Sequence, residues 1–409
     1  MLRWLGAYTA SMVGDSVYFL ALSWAAVRSG TPAQAGFVLA VGAVPRAVLM
    51  LGGGVVADRF GPRRVVIGGD AVRCAVILGV ALALALTTPT LWLLLPLALV
   101  FGAVDALFLP AVGALPPRIT GPGQLARVQG MRGFAQRLAG VAGAPLGGFA
   151  VAVGGPGAAF AVAGALFAVS LPLLLAVRIG PGPAPGADHA DQGAEERSRG
   201  DAGAWGELRA GLRYLRGHRV LAPLMVTVAV GELGFAGPLN IGLTLLVQER
   251  GWGADGMGAI VAAFGAGAGL SALLLTVRGR IPRAGLVMSL VLCAAAGCVA
   301  AIGYLPTVPY AMAAGALIGL LAGLSGALCW AVLQTACDPV YLGRVTSVST
   351  LISVGLTPLC YPVVGAAVGL WGAGPVFLGC SVVCLAGGVI GLWSTPLRTA
   401  ELPGAGSAP

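Results

Sequence analysis

The chain has 409 residues, of which 58% are hydrophobic and only 10% charged. A soluble domain carries about 25% charged residues, so a single water-soluble folded unit is excluded and a polytopic membrane protein is implied. The formal charge of +9 arises from 24 basic residues, all arginine, against 15 acids.

A bilayer span needs about 20 apolar residues. On that rule, helices fall at roughly 4–27, 33–55, 64–87, 90–113, 126–153 and 156–178, and again at roughly 219–247, 254–277, 284–304, 307–335, 345–370 and 374–395. Turn signals separate them: Gly30-Thr31-Pro32, Thr87-Thr88-Pro89, Gly154-Gly155-Pro156, Pro306-Thr307 and Gly372-Ala373-Gly374-Pro375. The predicted fold class is an all-α polytopic membrane protein with twelve transmembrane helices in two six-helix bundles, residues 1–178 and 219–397. Residues 179–218 are read as a cytoplasmic linker with an amphipathic helix, and 398–409 as a cytoplasmic tail. The first apolar run has no small-residue cleavage site and is read as a span, not a removable signal.

Arginines collect in alternate connections. Loop 2–3 carries Arg59, Arg63 and Arg64, loop 4–5 Arg118, loop 6–7 Arg197 to Arg219, and loop 8–9 Arg278, Arg280 and Arg283. The opposite loops carry little beyond Arg28 and Arg250. The positive-inside rule therefore places both termini and the middle connection in the cytoplasm, in a plasma membrane. The net charge is a topology signal, and nucleic acid is not an expected partner. Within the middle connection, 179–203 is rich in Pro, Gly, Ala and charge, the composition of a flexible linker. Trp205, Leu208, Leu212 and Leu215 alternate with Arg209, Arg213 and Arg216 at helical spacing. That pattern suits a helix lying on the membrane surface; a helix that binds a soluble partner is the alternative.

The two halves repeat. A shift of 217 residues carries Gly14-Asp15 onto Gly231-Glu232, Arg63 onto Arg280, Arg127 onto Arg344, Pro145 onto Pro362, Gly148 onto Gly365 and Phe160 onto Phe377. Six spans per half make this a parallel repeat about an axis along the membrane normal.

Charge inside the bilayer is costly and marks function by default. Asp15 lies in the middle of the first span beside Tyr18 and Phe19. It reads as a proton- or cation-binding carboxylate facing a central cavity, or as a structural acid paired with a neighbouring helix. Glu232 takes the same two readings in the seventh span. Asn240, two turns further along, is placed to bond a substrate or another helix. Arg46 lies about 18 Å from Asp58 along its helix, too deep to reach water, and Asp15 is its expected counter-ion. Arg137 is also deep, facing an anionic substrate or an acid. Asp70 and Arg73, three apart near the start of the third span, share one helix face. Eight cysteines sit in apolar runs as small hydrophobes. The two histidines, His189 and His218, are too few and too far apart for a metal site. Without lysine there is no phosphate-binding Gly-x-x-x-x-Gly-Lys loop, so neither an ATP-driven pump of that type nor an enzyme is expected.

Gly52 to Arg64 joins the second and third spans with glycines, one acid and three arginines. Gly54, Asp58, Arg59, Gly61, Arg63 and Arg64 resemble the G-x-x-x-D-R-x-G-R-R loop of the major facilitator superfamily. Asp105-Ala106-Leu107-Phe108-Leu109-Pro110-Ala111 and Asp338-Pro339-Val340-Tyr341-Leu342-Gly343-Arg344-Val345 resemble segments of its drug, macrolide and siderophore exporter branch; Val112 replaces the usual Arg after Pro-Ala. Gly140, Gly143, Pro145, Gly147 and Gly148 resemble the glycine–proline motif of antiporters, with Ala144 before the proline. The resemblance implies a proton-coupled exporter of a small organic molecule, such as an antibiotic or secondary metabolite, working by alternating access as a monomer. It implies no cofactor beyond a proton gradient. It also implies that Asp105 joins Arg59 and Arg63 in a cytoplasmic gating network. An importer of a nutrient or siderophore, and a non-transporting scaffold or sensor, are the competing readings.

Overall fold

The structure is a computed structural model that describes residues 2–87, 90–116, 124–177, 204–278, 281–338 and 341–400. Every regular element among them is helical. α1 (Leu2–Ser29) leads to a capping box that opens α2 (Pro32–Phe60). The Thr31 hydroxyl accepts from the Gln34 N–H while the Gln34 side chain accepts from the Thr31 N–H, satisfying donors that a helix start otherwise leaves unpaired.

The expected loop between the second and third spans is not a loop. α2 continues through Phe60, and α3 (Pro62–Leu86) begins one residue after Gly61. Gly61 has φ +83°, a conformation that glycine alone adopts readily. Pro62 then starts the next helix at the position where its missing N–H costs nothing. Gly54, Asp58 and Arg59 thus lie on α2 itself; the side chains of 50–55, 57 and 58 are outside the described ones.

α4 (Leu91–Ala114) follows. Residues 125–175 are continuous but for Gly154 (φ −135°) and Gly155 (φ +70°), which divide them into α5 (125–153) and α6 (156–175) at the expected turn. Of the middle connection, 178–203 lies outside the described residues, and α7 (Ala204–Gly217) is the expected helix. The second half holds α8 (Leu221–Glu249), α9 (Gly253–Arg278), α10 (Ala284–Ile302), α11 (Val308–Ala336), α12 (Leu342–Trp371) and α13 (Ala373–Trp393), followed by the short α14 (Thr395–Arg398). α8 carries a π-turn at Pro238–Gly242. Among the described residues, eleven continuous stretches are long and apolar enough to cross a bilayer, and the 46-residue stretch Gly130–Leu175 is two spans joined at the glycine break. The spans are therefore α1–α6 and α8–α13. Large apolar side chains such as Leu82, Phe149, Val277 and Leu370 point outward, as lipid contact requires.

Packing follows the same scheme in both halves. α2 lies on α4 as α9 lies on α11, and α3 on α6 as α10 on α13. Between the halves, α2 meets α12 and α5 meets α9. Glycine makes both crossings possible. A Cβ on Gly36 would overlap the Tyr361 carbonyl, and one on Gly258 would come within 2.8 Å of the Ala144 carbonyl. Backbones this close gain van der Waals contact, the main driving force for helix association in lipid. Pro32, Gly36, Gly148, Ala254, Gly258 and Gly365 all lie toward the α1–α2, α5–α6, α8–α9 and α12–α13 turns. The halves are closed against each other at the end of the molecule opposite the chain termini.

Candidate functional site

Arg73 is eleven residues into α3, about 16 Å from the helix start, and only 1% exposed. Three carboxylates from three helices surround it. Arg73 Nη1 lies 3.6 Å from Asp15 Oδ1 on α1 and 3.6 Å from Asp70 Oδ1 one turn earlier on α3. Its Nη2 donates to Asp105 Oδ1 on α4. The guanidinium also lies over the Phe108 ring, 4.0 Å from its centroid, and within 5.8 Å of the centroids of Phe101 and Phe167. Aromatic faces attract a cation where water is excluded. Asp70 is fixed further by Ser11 on α1 at 3.1 Å and Ser170 on α6 at 2.6 Å, both hydroxyls donating. One charged cluster thereby joins α1, α3, α4 and α6.

The cluster is not fully satisfied. Nε and Nη1 of Arg73 and Oδ1 of Asp15 are buried without a hydrogen bond. Three carboxylates face one guanidinium, so two protons can be added before the group is neutral. A net charge at this depth is costly.

Two expectations are corrected here. The ion-pair partner of Asp15 is Arg73, not Arg46. Asp105 pairs with Arg73, not with Arg59 or Arg63. It lies nine residues before the end of α4, about 14 Å from that end, too deep for arginines at the α2–α3 turn. Those arginines act elsewhere: Arg63 donates to the Leu175 carbonyl at 2.8 Å, Arg59 lies near the Phe60 ring, and Arg64 is exposed. The sequence already signalled Arg73, since an arginine in an apolar span needs counter-ions. Placing it near the helix start instead of at mid-depth hid its importance.

A cavity of about 640 Å³ lies between the halves, and the cluster reaches it through Asp105. Arg46, Arg137 and Asn240 line the same cavity. Arg46 Nε is buried without a hydrogen bond. Arg137 spans the two halves, donating to the Ala268 carbonyl at 3.0 Å. Asn240 sits in the π-turn of α8 and donates to Ala236 of its own helix at 2.8 Å. Such turns free backbone groups and recur at functional sites. Ser23 and Thr244 hydrogen-bond across the halves at 2.6 Å. Tyr18 is 1% exposed and stacks on Phe101 with centroids 3.6 Å apart; its ring supports the wall next to the cluster. Of the glycine–proline stretch, Gly140 lines the cavity, Gly143 and Gly147 pack on Ser16 and Val17 of α1, and Pro145 and Gly148 pack on α9. These residues wedge α5 between α1 and the second half.

Glu232 has a different setting from Asp15. It lines a separate cavity of about 350 Å³ built from α8, α10, α11 and α12, and among the described residues is the only charged one in its wall. Ser353 belongs to the walls of both cavities. Among the described residues Glu232 has no ion pair. At the end of the molecule that carries the termini, α7 docks through Tyr214, stacked on Tyr341 at 4.3 Å and accepting the Asp338 N–H at 3.2 Å.

The family model described as Major Facilitator Superfamily matches residues 4–354. The multidrug efflux pumps named Tap from Mycobacterium tuberculosis and Mycobacterium bovis are 25% identical over 421 residues, covering 97% of this chain and 94% of theirs. Two solved structures share the fold. A POT family transporter in complex with 5-aminolevulinic acid has a TM-score of 0.70 at 12% identity, covering 96% of each chain. A D-xylose-proton symporter has a TM-score of 0.69 at 13% identity, covering 98% of this chain and 97% of its own.

Proposed function

The chain belongs to the Major Facilitator Superfamily and is a multi-pass membrane transporter rather than an enzyme, and from that premise we propose that it exports a small organic molecule across the plasma membrane in exchange for protons. The observation that carries this reading is the buried Arg73 cluster, whose Asp105 borders the cavity between the halves. Exchange for protons needs a group whose protonation differs between the two conformations of the cycle, so that its charge biases their equilibrium. With three carboxylates around one guanidinium, the cluster can gain and lose protons while Arg73 shifts among its partners. Asp15, with an unsatisfied oxygen 3.6 Å from Arg73, is the best placed of the three to carry the exchanged proton.

Arg46 and Arg137 favour a substrate with an anionic or strongly hydrogen-bond-accepting part in the central cavity. The arginine bias places both termini in the cytoplasm, so the closed end faces outward and the cavity is in its cytoplasm-facing state. Similarity to proteins named multidrug efflux pumps supports the outward direction. The transporter works as a monomer without a cofactor.

The test has two parts. A susceptibility panel in a host stripped of its own pumps should reveal at least one compound whose tolerance rises with expression. The same compound should drive proton release from proteoliposomes holding the purified protein. Compound-driven proton uptake together with accumulation on the protein's cytoplasmic side would make the protein an importer and overturn the export reading. Transport insensitive to collapse of the proton gradient would overturn the coupling.

A further inference from the structure

The two halves are built alike, but they treat the same charge differently. In the first half, Asp15 on α1 faces the Arg73 guanidinium from α3, and Asp105 on α4 binds its other side. The 217-residue repeat puts Glu232 at the place of Asp15 and Ala322 at the place of Asp105. Packing supports that register. A Cβ on Gly102 of α4 would run into the Gly42 carbonyl of α2, and one on Gly319 of α11 would run into the Phe264 carbonyl of α9. Gly102 and Gly319 are 217 residues apart, and Asp105 and Ala322 each follow three residues later. α10, the counterpart of α3, has no charged residue along its length. Where the first half holds a guanidinium, the second holds the 350 Å³ cavity, with Glu232 the only charged wall residue among the described ones.

We propose that the cavity around Glu232 is a binding site for an organic cation, whose protonated nitrogen occupies the place that the Arg73 guanidinium holds in the first half. The inference rests on reading the chain as a transporter of small organic molecules, and adds a second site to the central one. A carboxylate in a bilayer-embedded apolar cavity is held in its charged form by a counter-charge, and among the described residues no ion pair supplies one to Glu232. The rest of the wall matches the same ligand. Phe235 and Trp330 offer aromatic faces, which attract cations most where water is excluded. Thr227 Oγ1 is buried without a hydrogen-bond partner and can accept from an N–H. The volume lies within the roughly 300–1,000 Å³ of small-molecule pockets. Ser353 belongs to both walls, so the two cavities adjoin there.

Phenylguanidinium and phenylurea have nearly the same shape and differ in charge. Titrated calorimetrically into the full chain in lipid nanodiscs, phenylguanidinium should bind at least tenfold more tightly. Glu232→Gln should remove that preference. Ala322→Leu, which keeps the acid but fills the cavity, should weaken phenylguanidinium at least tenfold. Equal affinities in the unaltered protein, or no binding of phenylguanidinium, would overturn the proposal without any variant having to fold. Retention of the preference in Glu232→Gln would overturn it as well. Because the readout is binding, the result stands apart from the transport reading: export that survives a failed titration leaves the central site in place, and a charge-selective titration without export leaves this one.

Discussion

Gly148 and Gly365 occupy equivalent places in the two halves and do the same work. A Cβ on Gly148 would come within 2.6 Å of the Ala254 carbonyl on α9, and one on Gly365 would run into the Pro32 carbonyl at the start of α2. Both belong to the end at which the halves are closed. Overpacking a tight contact costs about 1–3 kcal/mol, and 1.4 kcal/mol is a tenfold change in a population ratio. Gly148→Val and Gly365→Val should therefore each shift the conformational equilibrium by about five- to 150-fold toward the state open at that end. Distances between spin labels on the α1–α2 and α8–α9 turns report the shift directly. Unchanged distance distributions in both variants would show that these contacts do not set the conformation.

Removing the centre of the charge cluster should harm folding as well as transport. Arg73→Met leaves Asp15, Asp70 and Asp105 facing one another without their cation. Breaking a buried ion pair from one side costs about 3–5 kcal/mol, so the yield of folded protein should collapse. Arg73→Lys keeps the charge but loses the planar fork and much of the stacking on Phe108. It should insert and fold with its melting temperature lowered by several degrees, and lose transport. A fully active Arg73→Lys variant would mean that only the charge matters.

The three carboxylates should separate by role. Asp15→Asn mimics a permanently protonated side chain; it should abolish proton-driven export yet leave substrate counterflow measurable. Asp70 is held by two serine hydroxyls and serves to position Arg73. Ser170→Ala removes one hydrogen bond to a charged group, worth about 1.5–3 kcal/mol, and should lower stability with proton release per substrate unchanged. Thermal unfolding and proton-release stoichiometry in proteoliposomes check the pair. Full pH-gradient-driven export by Asp15→Asn would show that Asp15 is structural.

The turn between α2 and α3 depends on one backbone conformation. No heavy atom lies within 4 Å of where a Cβ on Gly61 would stand, yet its φ is +83°. Gly61→Ala should thus destabilise through backbone strain alone, by about 1–3 kcal/mol, without steric conflict. Melting of Gly61→Ala beside a Gly68→Ala control, on a helix with equally open space, isolates the effect. Equal melting temperatures would show that the turn relaxes at no cost.

Much of this architecture was written in local chemistry. Spans, the Gly154-Gly155 break and the capped start of α2 follow from apolar run length and from glycine, proline and threonine acting on neighbouring backbone. The repeat was legible because Asp15 and Glu232 are rare residues at matching places. What the chain could not reveal alone was which charges meet. Arg46 reads as a deep arginine and Arg73 as one near a helix start, and linear spacing ranks depth only along one helix. Helix rotation and the close α3–α4 contact, where a Cβ on Gly69 would touch Val104 and Phe108 at 3.3–3.4 Å, bring Arg73 to Asp105 and Asp15 and leave Arg46 at the central cavity. The same packing decides that equivalent acids differ: Asp15 meets a guanidinium supplied by α3, whereas Glu232 meets the open space that an uncharged α10 and Ala322 leave beside it.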